Sequence, residues 1–477
     1  MRRAKIVCTT GPAVSTPEKL RELISAGMDV ARINRSHGSY AEHEAIYANV
    51  RQAAKDVGRN VAILVDLQGP KIRLGKFEVE DKKYYLNVGD KFTITIEDVI
   101  GNQEMVGTTH KMLNTDAKVG DPLLIDDGKV RLRVTEIDGP RVHTVVEIPG
   151  NVSDSKGINL PGAAVSVPAM SEKDEDDLRW ALKIGADYIA LSFVRDAADY
   201  DAVRAIMDEE GRVVPVIAKL EKPQAIENLE EVIAAFDAFM VARGDLAVEM
   251  PLDEVPLIQK RIVELARRNA KPVIVATQVL ESMTENPLPT RAEASDCANA
   301  VLDGADAVML SGETSMGKFP IEACSTMAQI IETTERLGSA RIAPLGTRAS
   351  TRSGVMTEAA KNIGEQLGAK YFVTFTQSGD SARRMSRLRS QIPLLAFTPS
   401  DATAKALALS WGVQAFDEPM VSSIDEMVTQ VDSTLQANGM AVPGDRIVMV
   451  SGAPVGVSGT TNNILVHKIG SAAPGHA

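Results

Sequence analysis

Apolar residues along the chain follow two rhythms, and the change between them divides it. Over residues 5–69, short continuous apolar runs alternate with stretches of helical periodicity. KIVC (5–8), DVARIN (29–34) and VAILVD (61–66) read as strands. One helix is predicted to begin near Pro17 and another to span about 40–57. Strands that alternate with helices form a parallel sheet. Over 70–167 the helical period disappears. Thr, Val and Ile alternate with charge, as in DKFTITIED, and Asp127-Gly128 inside LLIDDGKVRLRV is a hairpin signal. This stretch reads as a small all-β domain inserted into the first.

From 171 the strand–helix alternation resumes. SEKDEDDLRWALKIG (171–185) has Ser at its start, acids in its first turn and Gly at its end, all marks of a helix. The strands DYIALSF (187–193), VPVIAKLE (214–221), DAFMVARGD (237–245), KPVIVATQ (271–278) and DAVMLSGE (306–313) follow. Three strands before the insert and five after it predict a (β/α)₈ TIM barrel over 1–69 and 168–338, with an inserted β-barrel-like lid over 70–167. SARIAPLGTRAS (339–350) reads as a linker. It opens a C-terminal α/β domain over 339–477, with strands in AKYFVTFT, PLLAFT and RIVMVSG. The terminal SAAPGHA reads as a frayed tail.

In such a barrel the C-terminal ends of the strands converge on one face. Here they carry Arg32, Asn34, Ser36 and His37; Asp66; Lys219 and Glu221; Arg243, Gly244 and Asp245; Thr277 and Gln278; and Ser311 and Glu313. Any one of these could be an ordinary solvated side chain, but together they share one destination. Lys219 and Glu221, two apart on one strand, face the same way. Glu221 and Asp245 make a plausible pair of Mg²⁺ ligands, because Mg²⁺ takes one or two carboxylates plus water and substrate oxygens. Gly244 lets a ligand approach the backbone. A helix starting there would offer amide N–H groups to a carboxylate or phosphate. Arg32 and Arg73 offer planar forks for phosphate. A metal, a lysine and arginines around one pocket are the parts of phosphoryl transfer. The insert leaves from the same rim, where it could act as a lid that excludes water.

Composition narrows the classes. The chain carries 52 Lys and Arg against 64 Asp and Glu, a net charge of −12, which argues against general nucleic-acid binding. Cys8, Cys297 and Cys324 are far apart in sequence and form no CxxC, so a reducing, cytoplasmic setting is expected. No apolar run approaches the ~18–20 residues of a membrane span. GETSMGKF (312–319) nearly matches a phosphate-binding P-loop, but Phe319 stands where the hydroxyl ligand belongs.

ARINRSHG, DLQGPKIR, SKGINLPG, IAKLEKPQAIENL, VARGDLAVE, ATQVLESM and MLSGETSMGKFP occur in this order. With them the chain closely resembles the pyruvate kinase family over nearly its whole length. The resemblance implies phosphoryl transfer from phosphoenolpyruvate to ADP, giving ATP and pyruvate, with Mg²⁺ (or Mn²⁺). It implies Lys219 and Arg32 at the transferring phosphoryl group, and Glu221 and Asp245 on Mg²⁺. Gly244, Asp245 and Thr277 would hold the substrate carboxylate, with Thr277 on the side where the enolate is protonated. Asn34, His37, Arg73 and Lys156 would contact the nucleotide. It also implies a homotetramer and a phosphorylated allosteric effector.

Many members of the family hold K⁺ near Asn34, Ser36 and Asp66, with an acid where this chain has Lys71. That departure suggests that the Lys71 ammonium supplies the charge K⁺ would supply, against the simpler reading of a solvated hinge lysine. In the C-terminal domain TQSGDSARR (376–384) gathers Thr376, Ser378, Ser381 and Arg383 around a glycine, a pattern suited to phosphate. APVGVSGTTN (453–462) could close over it. Two rival readings are a Mg²⁺-dependent barrel lyase acting on a pyruvate enolate and a catalytically inactive metabolite sensor. The lid and its phosphate-suited Arg73 and Lys156 weigh against the first. Intact Lys219, Glu221, Asp245 and Thr277 weigh against the second.

Overall fold

The computed structural model describes residues 2–79, 83–162, 168–457 and 459–471. The tail expected to fray lies, apart from Ser471, outside these described residues. So do the last residues of the insert, 163–167.

Eight parallel strands close into a barrel in chain order: β1 Lys5–Thr9, β2 Val30–Asn34, β3 Ala62–Asp66, β4 Tyr188–Leu191, β5 Val216–Leu220, β6 Ala238–Ala242, β7 Val273–Ala276 and β8 Ala307–Leu310. These strands are almost wholly buried, which is why they read as continuous apolar runs rather than as alternation. The seam is closed by β1 pairing with β8, Lys5 opposite Ala307 and Cys8 opposite Leu310. The helices begin and end where the sequence punctuates them. Ser39 with Glu42, Ser171 with Asp174 and Thr290 with Glu293 each form a capping box. Gly58, Gly185 and Gly304 end the same three helices in the left-handed conformation.

Two apolar layers follow from this geometry. One lies between strands and outer helices. The other fills the barrel with Val7, Leu64, Tyr188, Ile217, Met240 and Ile274, and continues into Ala406, Ala408 and Leu409 of the C-terminal region. That region seals the end of the barrel where the strands begin. Tyr188 Oη donates to Ala406 O at 2.7 Å, Lys5 Nζ donates to Val413 O at 2.8 Å, and Arg389 pairs with Asp306 at 3.1 Å. Cys8 and Cys324, distant in sequence, lie with their sulfurs 3.8 Å apart as free thiols.

The insert has its own core, built on Phe92, Leu123, Leu132 and Val142 beneath a six-stranded sheet. The expected hairpin joins Pro122–Ile125 to Val130–Asp138, with Asp126, Asp127 and Gly128 all at positive φ. The C-terminal sheet has five strands in the order β11-β10-β9-β12-β13. These are β9 Tyr371–Phe375, β10 Leu394–Thr398, β11 Val413–Asp417, β12 Arg446–Gly452 and the antiparallel β13 Thr461–Lys468.

Candidate active site

The ends of β1 to β5 bring six side chains into one buried cluster. Lys219 Nζ lies 2.8 Å from Glu221 Oε1 and 3.5 Å from Asp66 Oδ1, and donates to Ser192 Oγ at 2.8 Å. Ser192 passes the chain on, donating to Leu67 O at 2.7 Å. Arg32 Nε donates to the other oxygen of Asp66 at 2.7 Å, and its Nη1 donates to Thr9 Oγ1 at 2.9 Å. Glu221 Oε2 accepts the Phe193 amide at 2.9 Å. Phe193 adopts a φ of 57°, a conformation held by this bond and by the packing around it. Gly69 makes the packing possible: a Cβ there would sit 2.7 Å from both Ser192 and Phe193.

Burying such charges is favourable only when they are paired. Burial pulls the Lys219 ammonium down, but the charges of Asp66, Glu221 and Asp245 together outweigh it and hold it above its usual value. Burial pushes Glu221 up; Lys219 pulls against this, and the charge of Asp245 adds to the rise. Glu221 Oε1 and Asp66 Oδ1 are both buried, with the Lys219 ammonium as the charge they face. Glu221, with Asp245 near enough to act on its charge, gives a carboxylate pair that fits a divalent cation. Among the described residues no group of three or more His, Cys, Asp or Glu is arranged for a metal. A two-carboxylate site completed by substrate and water is the arrangement Mg²⁺ favours.

The next two strands supply the other wall. The helix Arg243–Glu249 begins directly at the end of β6, with Asp245 in its first turn. Thr277 and Gln278 follow β7 with φ of 67° and 54°. The Gly244 amide and the Thr277 hydroxyl, both expected at a substrate carboxylate, here hold each other: Gly244 N donates to Thr277 Oγ1 at 2.8 Å, and Thr277 Oγ1 donates to Ala276 O at 2.7 Å. Arg243 clamps this turn. Its Nη2 donates to Thr277 O at 2.8 Å, while Nη1 is fixed by Asp296 at 2.8 Å.

Asn34 and Asp66 are neighbours in the β2–β3 register, and Asn34 Oδ1 accepts the Ser36 amide at 3.2 Å. The three residues of the expected K⁺ site are therefore gathered. Lys71 makes its ion pairs elsewhere, at 3.5 Å to Asp127 of the insert and 3.8 Å to Asp245. Arg73 and Lys156 adjoin each other across the insert: Arg73 Nη1 donates to Ser155 O at 3.0 Å, and Lys156 pairs with Asp126 at 2.9 Å. His37 is exposed beyond the end of β2. Ser311 and Glu313 are not part of the mouth chemistry. The buried Glu313 carboxylate accepts the Ser311 amide at 2.6 Å and the Leu280 amide at 3.2 Å, so it ties the β7 and β8 loops together. Lys318 of the P-loop-like stretch pairs with Glu285 on the surface at 2.5 Å.

In the C-terminal region Thr376, Ser378 and Ser381 line a cavity of about 300 Å³, also bounded by Val457 and Thr460 of the second glycine-rich loop. Thr376 Oγ1 accepts the Gly379 amide at 2.9 Å, and Ser381 shares a hydrogen bond with Thr461 at 2.8 Å. Arg383 turns back onto Ser378 O at 3.1 Å. Sequence reasoning passed over Ser192, Thr9 and the clamp made by Arg243 and Asp296. A serine between Leu191 and Phe193 carries no periodic mark, and the Arg243 clamp joins elements far apart in the chain.

The chain matches the family model of the pyruvate kinase barrel domain over residues 1–324 and that of the pyruvate kinase alpha/beta domain over 355–467. The pyruvate kinase of Mycobacterium intracellulare is 55% identical over 469 residues, covering 98% of this chain and 99% of that protein. That of Geobacillus stearothermophilus is 42% identical over 475 residues, 98% of this chain and 80% of that protein. A crystal structure of a pyruvate kinase from Cryptosporidium parvum superposes with a TM-score of 0.92 at 31% identity, covering 98% of this chain and 96% of that one.

Proposed function

The chain belongs to the pyruvate kinase family of phosphotransferases, and from that premise we propose how its barrel mouth moves a phosphoryl group from phosphoenolpyruvate to ADP. The observation that most supports the reading is the buried Lys219 held between Asp66, Glu221 and Ser192. Lys219 faces the phosphoryl group in flight and the enolate oxygen it leaves. Arg32, oriented by Asp66 and Thr9, neutralises the phosphoryl oxygens. Glu221 and Asp245 would hold the Mg²⁺ (or Mn²⁺), whose charge would offset that of the substrate. The Gly244 and Asp245 amides and Thr277 receive the substrate carboxylate, exchanging the bond between Gly244 and Thr277 for bonds to it. Thr277 lies on the side where the enolate takes its proton. Asn34, His37, Arg73 and Lys156 meet the nucleotide phosphates as the insert, 70–167, closes on the barrel, 1–69 and 168–338. In such a transfer the protein chiefly positions groups and offsets charge.

Lys71 belongs to the same proposal. Its ammonium supplies positive charge in place of K⁺, and its ion pairs to Asp127 and Asp245 support a role that links lid to mouth. Residues 339–477 form a regulatory domain that takes a phosphorylated effector at Thr376, Ser378, Ser381 and Arg383. The protein works as a homotetramer in the cytoplasm, a setting supported by its free thiols. Among the described residues no helix is long and apolar enough to cross a membrane.

The test is ADP-dependent pyruvate formation from phosphoenolpyruvate with Mg²⁺, in buffer freed of K⁺ and NH₄⁺, before and after K⁺ is added. Full activity before K⁺ is expected. Activity only with K⁺ would return Lys71 to a hinge role, and no activity in either buffer, with candidate phosphorylated activators present, would overturn the reading of the mouth. Equilibrium sedimentation checks the tetramer.

A further inference from the structure

A second cavity lies where the barrel meets the C-terminal region, and its charge is opposite to that of the chain. It is a cleft of about 650 Å³ between the end of the barrel helix Val255–Arg268, the segment 344–351, and the helices Arg352–Leu367 and Asp380–Ser386. Five cations line it, Arg268, Arg348, Lys361, Arg384 and Arg387, against one carboxylate, Glu358. In a chain of net charge −12 this is a local reversal of sign. The cleft shares no lining residue with the cavity at Thr376–Ser381.

The cations differ in how far they are already neutralised. Arg268 pairs with Glu264, Arg384 with Asp380 at 2.7 Å, and Lys361 with Glu365 at 3.8 Å. Arg348 and Arg387 form no ion pair among the described residues. Arg387 is only 9% exposed. Its Nη1 donates to Arg268 O at 2.7 Å, but its buried Nε has no partner. Its own carbonyl accepts from Arg267 at 3.2 Å. The backbone bonds that join barrel to C-terminal region therefore leave part of this guanidinium unsatisfied. A guanidinium held out of water beside another, with no anion on it, is costly, and the planar fork of arginine is the group best suited to phosphate. The volume is that of a small-molecule site.

We propose that this cleft binds a phosphate-bearing small anion, with Arg387 at its floor and Arg348 and Lys361 at its rim. It is a second anion site, separate from the serine- and threonine-lined cavity, and it bridges the barrel to the C-terminal helices. The assignment does not rest on the reading of the barrel mouth, so its test needs no turnover.

The probe is inorganic pyrophosphate, titrated calorimetrically into the full chain in metal-free buffer. Three proteins are compared: the wild type, Arg348→Gln/Lys361→Gln, and Ser378→Ala/Ser381→Ala. Of the binding equivalents the wild type shows, one is expected to weaken at least about tenfold in the rim variant, the effect expected for losing two charge-assisted contacts. The same equivalent should persist in the serine variant. Unchanged stoichiometry and affinity in the rim variant would overturn the proposal, and so would loss of that equivalent in the serine variant alone. Arg387→Gln should abolish the equivalent outright; because that change also disturbs the domain junction, the rim variant decides if it does not fold.

Discussion

At the top of the barrel Lys219, Asp66, Glu221 and Arg32 keep four charges buried in mutual contact. At the bottom Ala406, Ala408 and Leu409 close the same strands with apolar side chains, supplemented by the polar contacts of Lys5, Tyr188 and Asp306. The two ends follow different rules. Apolar burial is non-directional and grows with area, so the floor holds the domains together without fixing any one atom. Buried charge is unfavourable unless each group meets its partner, so the mouth fixes atoms at the expense of stability. The difference teaches where to look for chemistry in such a barrel: at the end where the core stops being apolar.

The largest expected break in this contrast is at the mouth. Lys219→Met should lower pyruvate formation per folded molecule by at least about 10²–10³-fold, and the urea midpoint should fall as well, because Asp66 and Glu221 are left as buried carboxylates without their cation. A variant whose turnover per folded molecule is retained would mean that Lys219 is a structural ion rather than a reacting one. At the floor only stability should be lost. Leu409→Ala should cost about 2–5 kcal/mol of stability, read by urea unfolding, with turnover per folded molecule unchanged.

Lys5 sharpens the comparison, because it is the one lysine buried at the floor. Burial pulls its ammonium down to about 8 from 10.5, with Asp29 opposing and Arg2 and Arg59 adding to the fall. The folded value lies below the unfolded one, so the destabilising contribution is fully present below pH 8 and is relieved as pH rises toward 10.5. Relative to Lys5→Met, the wild type should therefore gain stability between pH 8 and 10, on the order of 2–3 kcal/mol. A flat difference between the two urea series would mean the ammonium is well solvated. The smallest effect is Tyr188→Phe. Losing the bond to Ala406 O should cost about 1 kcal/mol, visible in the melting temperature and absent from the kinetics.

The same contrast explains what could be read from the sequence. Barrel strands were legible because strands buried on both faces are unbroken apolar runs. The mouth was legible where polar residues interrupt such runs at their ends, as Lys219 and Glu221 do. The two strands at the edges of the C-terminal sheet were not. Val413–Asp417 and Thr461–Lys468 are largely half-buried or exposed and carry Gln414, Asn462 and Asn463, so neither period stands out. Glu313 looked like a mouth residue because position alone does not say whether a carboxylate faces the cavity or binds a backbone amide. Ser192 was missed for the converse reason: a small hydroxyl next to Phe193 is indistinguishable from packing until Lys219 is seen to reach it.

The closure of β1 against β8 also bears on how the molecule is made. β1 pairs with β2 on one side and on the other with nothing until Ala307–Leu310 has been synthesised. The floor stays open longer still, until Leu409 has left the ribosome. The insert, by contrast, carries a complete core of its own between Ile72 and Leu160. The order of synthesis thus implies that the lid folds before the barrel that it covers, which waits unclosed until its eighth strand has been made. Nascent chains arrested after Leu160 should already protect the insert from protease, while those arrested before Leu310 should leave β1 open to cleavage.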